Sequence, residues 1–229
     1  MGQITIRELE NMDFFKEIPK DILQNLLNES KVVSYKKKEM IFHSRSRTKT
    51  VYFVYSGEVM LYNLTKHGNR KVIFILGKGQ LLNQSIVSKK PNALFCEAAC
   101  PVQILEIAEE PFLHLMEQSH DLTRAVLREY ERNLWRMGHQ LKNTTGNMQM
   151  ERKIAAKLWK LGRDFGVDTE DGVMIDIDLT ITLMADLVGA PRENVSRACK
   201  VLTDRGLIRY GNKRFILTDS DGLAEFYKM

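Results

Sequence analysis

The sequence predicts an α+β protein: an N-terminal antiparallel β-roll, a long helix able to pair with a second copy, and a C-terminal winged helix-turn-helix. Three observations carry this. Residues 32–108 alternate short β-branched and aromatic runs with glycine punctuation, Leu127 to Met148 carry a heptad stripe, and residues 180–203 read as two helices joined at a glycine. The expected domains are 1–118 for the roll, 119–146 for the pairing helix and hinge, and 147–229 for the helix-turn-helix domain.

Residues 4–30 have helical periodicity, with Pro19 opening a second short helix. The runs VYFVYSGEVMLYNL, RKVIFIL and CEAACPVQILEIA, separated by HGN and GKGQ, then describe a sheet that turns back on itself. Pro111 ends that texture, and Phe112 to Glu117 form a short helix. Ser119 and Asp121 offer caps for a much longer one. Along it Leu127, Tyr130, Leu134, Met137, Leu141, Thr144 and Met148 recur at spacings of 3, 4, 3, 4, 3 and 4, an a/d stripe suited to a homodimer. Packing on the chain's own β domain would need only part of that stripe. Arg124, Arg128, Arg132 and Arg136 read as a solvated face, and Gly146 with Asn147 as a hinge. Residues 148–163 form a further helix with Ile154, Ala155, Leu158 and Leu161 inward, and DTEDGVMIDIDL a turn and a strand.

The stretch TITLMADLVGAPRENVSRACKVLT is the most informative. Thr180 caps a helix through Val188, and Gly189 supplies a left-handed turn. Pro191 or Arg192 opens a second helix with Val195, Ala198, Cys199 and Leu202 inward, and small Ala185 leaves room for the crossing. Arg192, Glu193, Ser196 and Arg197 then share the outer face near the second helix's N-terminus. Arginine bridges guanine O6 and N7 and glutamate accepts from the cytosine amino group, so this set suits base reading in a major groove. DRGLIRYGNKRFILTD adds two short strands as a wing.

Composition agrees with a folded chain: 229 residues, 44% apolar and 28% charged, exclude extended disorder. Three cysteines, an N-terminus without an export pattern and no apolar run of about 18 residues give the expectation of a cytoplasmic protein away from membranes. Net charge is +5, but the residues from Asn147 onward hold 13 basic and 13 acidic groups. The charge is polarised within that half. After Arg163 come Asp164, Asp168, Glu170, Asp171, Asp176, Asp178 and Asp186 without a base, whereas 192–214 hold seven bases against Glu193 and Asp204.

These features resemble the cyclic-AMP receptor and fumarate-nitrate regulator (Crp/Fnr) superfamily of bacterial transcription factors over nearly the whole chain. SGEVMLY, the Gly68-Asn69 hairpin and GKGQLL are similar to its cyclic-nucleotide-binding-like roll, and LVGAPRENVSR to its DNA-reading motif. The resemblance implies base contacts from Arg192, Glu193 and Arg197 in one branch and from Glu193, Ser196 and Arg197 in the other, leaving a TGA half-site core as the shared expectation. It also implies phosphate contacts at Thr180, Thr182, Asn194, Lys200 and Lys213. Double-stranded DNA, a second copy of the chain and RNA polymerase are the partners it implies, with a small-molecule effector possible.

Members that bind cyclic nucleotides grip ribose and phosphate with a Gly-Glu pair and an Arg-Ser or Arg-Thr pair. The corresponding positions are Asn83, Gln84, Asn92 and Ala93, and no arginine lies from 71 to 123. Where the cyclic-AMP receptor presents hydroxyls to the base, this chain has Met137 and Gly138. Cyclic AMP is therefore not expected as effector. A pocket lined by Leu81, Leu82, Leu94, Met137 and Leu141 would suit an apolar or weakly polar one. An iron–sulfur cluster is not expected either, because it needs about four thiolates. Cys96 and Cys100, four apart in a strand pattern, would share a face and suggest either a thiol switch or, more simply, buried structural thiols. Haem ligation by one of His43, His67, His114, His120 and His139 stays open. Two other classes compete: a regulator whose roll serves only dimerisation or polymerase contact, and a cupin-like metalloenzyme, which would need clustered histidines and a carboxylate.

Overall fold

The computed structural model describes residues 4–144 and 148–228. The chain divides into two compact units, Met1–Asn63 with Ile73–Met137, and Leu64–Val72 with Gly138–Met229.

The first unit opens with α1 (Ile6–Glu10), held by a capping box between Thr5 and Glu8, and α2 (Lys20–Asn28), entered through Pro19. The strands follow: β1 (Ser30–Tyr35), β2 (Met40–Phe42), β3 (Thr50–Ser56), β4 (Val59–Leu64), β5 (Arg70–Leu76), β6 (Phe95–Ala98) and β7 (Val102–Ala108), the β4–β5 hairpin tip at 64–72 falling with the second unit. They form one sheet of order β1-β7-β3 and another of order β2-β6-β4-β5, the roll the glycine-punctuated runs predict. Gly57 makes the β3–β4 turn at φ +80°, and a Cβ there would lie 2.7 Å from the Pro101 carbonyl oxygen, so only glycine fits.

The runs VYFVY and VQILEI lack clean alternation because their sheet is covered on both faces. Val51 and Phe53 of β3, with Leu105 and Ile107 of β7, enter a core shared with Phe14, Phe15 and the helices. Tyr52 and Val54, with Val102 and Ile104, enter a second core inside the roll, against Phe42, Leu61 and Phe74. Glu106 is buried on β7 and accepts the Tyr35 hydroxyl at 2.7 Å.

Two helices follow: α3 (Glu109–Gln118) and α4 (His120–Thr144), the latter running past Met137 into the second unit. Pro111 sits in the first turn of α3 instead of before it, where a missing N–H costs nothing. Ser119 caps α4, its hydroxyl oxygen accepting the Leu122 amide. Leu122, Ala125 and Val126 of α4 pack into the helix-side core. On another face Leu127, Leu134, Met137 and Leu141 are 56%, 72%, 45% and 61% exposed. Tyr130, expected on that stripe, packs instead against the helix-side core, and burial pushes its phenol up to about 12. The arginine row is not simply solvated. Arg128 makes a bidentate pair with Glu17, Arg132 pairs with Glu129, and Arg136 lies 5.4 Å over the Phe74 ring. The side chain of Thr144 and the expected hinge at Gly146 and Asn147 fall outside the described residues.

In the second unit come α5 (Met150–Phe165), β8 (Gly166–Thr169), β9 (Gly172–Ile175), α6 (Ile181–Val188), α7 (Arg192–Asp204), β10 (Ile208–Gly211), β11 (Arg214–Leu217) and α8 (Ser220–Lys228). The segment expected to give one strand gives a hairpin, β8–β9. Its first strand is exposed throughout and carries no burial pattern for the eye to catch. The sheet order is β10-β11-β9-β8. Ile154, Ala155, Leu158 and Leu161 of α5 are buried as expected, and Ile208, Phe215 and Leu217 of the wing are buried too. Among the described residues no helix is long and apolar enough to cross a membrane.

Candidate nucleic-acid interface

The Thr180 hydroxyl oxygen accepts the Leu183 amide at 3.1 Å, starting α6, which Gly189 ends in the left-handed region at φ +73°. Ala185 is buried at the crossing. Pro191 precedes α7, whose Val195, Ala198, Cys199 and Leu202 are buried, leaving Arg192, Glu193, Ser196, Arg197 and Lys200 exposed on the outer side. Asn194 is half-buried, and its carboxamide oxygen accepts from Arg197 Nη2 at 2.5 Å, steadying the guanidinium beside the exposed face. Thr182 is exposed, and Thr180 keeps a hydroxyl proton to donate although its oxygen is used as a cap. Lys213 sits exposed in the wing turn at positive φ, next to Asn212. The four expected base readers and the five expected phosphate contacts therefore all fall in the helix-turn-helix and its wing.

The wing's charge is less free than its sequence suggests. Arg209 Nη2 lies 2.5 Å from Asp171 of the β8–β9 turn, and Arg214 pairs with Asp176 just past β9. Arg205 stacks over the Phe226 ring at 5.0 Å. Among the described residues Arg192, Arg197, Lys200 and Lys213 make no ion pair. Sequence reasoning missed the acidic partners because cross-strand register is not visible in composition; the run of acids from 164 to 186 was the available signal.

The expected effector-pocket residues in the roll are packed or hydrogen-bonded within it. Leu81 and Leu82 are core side chains, one in each interior. Asn83 is buried, its carboxamide oxygen accepting the Tyr52 amide at 2.8 Å and its NH₂ donating to the Thr50 carbonyl at 2.9 Å. Gln84 accepts the amides of Ala93 and Leu94 at 3.2 and 3.4 Å and donates to the Leu82 carbonyl. Asn92 is buried and exchanges backbone hydrogen bonds with Arg45 and Ser46. Leu94 packs against the roll core, Met137 is exposed on α4, and a Cβ on Gly138 would meet nothing within 4 Å.

Cys96 and Cys100 do not share a strand face, contrary to the spacing argument. β6 ends at Ala98, which leaves Cys100 in the turn before β7. Burial pushes the Cys96 thiol well up. Burial and the adjacent Glu58 carboxylate push Cys100 up to about 11. Among the described residues no three His, Cys, Asp or Glu side chains are grouped to hold a metal.

A family model for the cyclic nucleotide-binding domain matches residues 32–119, and one for the Crp-like helix-turn-helix domain matches 152–226. The chain is 22% identical to a CRP-like cAMP-activated global transcriptional regulator of Mycobacterium tuberculosis, over 94% of this chain and 96% of that protein. It is 23% identical to the global nitrogen regulator of a Nostoc species, over 80% and 83%. A solved CooA variant from Carboxydothermus hydrogenoformans superposes with a TM-score of 0.76 at 18% identity, covering 99% of this chain and 97% of that one.

Proposed function

Because the chain belongs to the Crp/Fnr superfamily and is a transcription regulator with a helix-turn-helix DNA-binding domain, not an enzyme, we infer that it acts as a homodimer on near-palindromic DNA. The observation that carries this reading is the exposed set Arg192, Glu193, Ser196 and Arg197 on the outer side of α7, beside Lys200 and Lys213, all four arginines and lysines without an intramolecular ion pair among the described residues. Arginine and glutamate there would read G·C pairs of a TGA-like half-site, while Thr180, Thr182, Asn194, Lys200 and Lys213 would hold phosphates and set register. The exposed Leu127, Leu134, Met137 and Leu141 of α4 support the dimer, since a single copy leaves a heptad-spaced apolar row in water. Two-fold symmetry then sets the half-sites about one DNA turn, ~34 Å, apart. The protein would work in the cytoplasm with RNA polymerase as partner.

Cyclic AMP is not the proposed effector. Of the four corresponding positions, Asn83 and Gln84 have carboxamides already bonded to Tyr52, Thr50, Ala93 and Leu94, Ala93 has no polar side chain, and no guanidinium is supplied from 71 to 123. This favours either an effector of different chemistry or a roll that serves dimerisation and polymerase contact alone. Selection of bound duplexes from a random library, with and without the small-molecule fraction of a cell extract, tests the reading. Enrichment of paired TGA-like half-sites supports it, and a requirement for the extract separates the two effector readings. Failure to enrich any sequence in either arm overturns it.

A further inference from the structure

The β10–β11 wing lies in one sheet with the acidic β8–β9 hairpin. In the antiparallel register Ile216 faces Met174 and Leu217 faces Val173, which sets Arg214 across from Asp176. Arg209 faces Ile216 on the other side of β11. Burial alternates along these strands. Ile175, Ile208, Phe215 and Leu217 are buried, so Arg209, Arg214 and Asp176 stand together on the outer face. Asp171, in the β8–β9 turn, reaches the Arg209 guanidinium at 2.5 Å. Both acids are more than half exposed, at 60% for Asp171 and 53% for Asp176, and neither is needed to fill the core.

Both arginines flank the exposed turn that carries Lys213. An exposed arginine on a wing is a ready phosphate contact, and each such contact adds about 0.9 to the slope of log affinity against log salt. A guanidinium already held by a carboxylate must first exchange partners. We propose that Asp171 and Asp176 are tuning residues: by occupying Arg209 and Arg214 they hold down the wing's sequence-independent grip on DNA and leave discrimination to α7. The inference rests on the reading that α7 and the wing face DNA. It adds that two acids outside the basic segment set the balance between specific and nonspecific binding.

The test uses the full-length protein with Asp171→Asn, Asp176→Asn and the double variant, titrated by fluorescence anisotropy against a random-sequence duplex over a range of salt. Each substitution should raise affinity at low salt by about two- to five-fold, the worth of an exposed ion pair. The double variant should steepen the salt slope by one to two units. Asp168→Asn, on the same hairpin and with the same change in net charge, controls for charge alone, and adding Arg209→Gln and Arg214→Gln to the double variant should abolish the gain. Equal gains from Asp168→Asn, or a gain that survives loss of the arginines, overturn the proposal in favour of a bulk charge effect. A fall in affinity overturns it in favour of acids that aim the arginines at DNA. Should the unsubstituted protein bind no duplex at all, the DNA-facing reading itself fails, a result distinct from unchanged variants of a protein that does bind.

Discussion

The carboxamide oxygen of Gln84 accepts the backbone amide of Ala93 at 3.2 Å, so two positions expected from the resemblance to correspond to a nucleotide grip are here each other's partners. Asn83 bridges Tyr52 and Thr50, so the segment from 82 to 94 is held both to β3 and across itself by its polar groups. A carboxamide engaged at both its oxygen and its nitrogen is a neutral and partly spent donor for a phosphate, and the missing guanidinium removes the strong bidentate contact.

Cyclic AMP at about 1 mM should therefore leave the melting temperature unchanged. A binder at 100 times its Kd would add about 2.7 kcal/mol, a rise of several degrees. Gln84→Ala leaves two amides without their acceptor and should cost about 1 kcal/mol, a fall in Tm of roughly 2–4 °C. A Tm rise with cyclic AMP would mean that the segment opens readily and that its internal bonds are not a barrier.

Two leucines on different faces of α4 separate folding from association. Leu134, 72% exposed, contributes little to its own unit, so Leu134→Lys should convert dimer to monomer in sedimentation velocity while leaving the roll's thermal stability near that of the parent protein. Leu122 is fully buried, and Leu122→Ala should cost about 2–5 kcal/mol of stability irrespective of association. A Leu134→Lys protein that still sediments as a dimer would place the interface elsewhere.

Arg197→Ala should cost roughly 1–3 kcal/mol on the selected site and relax base preference, whereas Lys213→Ala should weaken binding to all duplexes alike and flatten the salt slope by about one unit. Competition titrations against selected and scrambled duplexes read both. An equal loss for Arg197→Ala on scrambled DNA would move that residue to the phosphates.

The thiols should be unreactive near neutral pH. With its pKa raised to about 11, Cys100 is overwhelmingly protonated at pH 8, and buried Cys96 is more so. Labelling by a disulfide reagent should be slow in the native protein and fast once it is unfolded. The linkage has a definite sign: a folded-state pKa above the unfolded value near 9 gives a contribution that is present below pH 9 and lost as pH rises towards 11. Rapid native labelling of Cys100 at pH 7.5 would contradict this environment.

The helix-turn-helix was legible residue by residue because its signals are local: a threonine cap, a glycine in the left-handed region and apolar spacing on α7. The roll was legible as texture, its strands delimited by glycines. What escaped was non-local. The pairing of Arg128 with Glu17 spans 111 residues, and the bonds of Asn83 to Tyr52 and Gln84 to Ala93 depend on how loops meet after folding. The β8–β9 hairpin escaped for another reason. Its turn uses Gly172 at φ +120°, and its outer strand buries nothing, so no hydrophobic period marks it. Tyr130 sits at a correct heptad position yet packs against the helix-side core, since heptad spacing marks a helix face but not which neighbour covers it.

β3 is a party wall between two rooms. Its odd-numbered Val51 and Phe53 furnish one interior and its even-numbered Tyr52 and Val54 the other. One inserted or deleted residue would exchange the occupants of both at once, since a one-residue slip reverses every side chain on a strand. Length is thus fixed more strictly there than chemistry. The exposed stretch from Val87 to Pro91 has no such double tenancy, and it is where the roll can accept added chain without disturbing either interior.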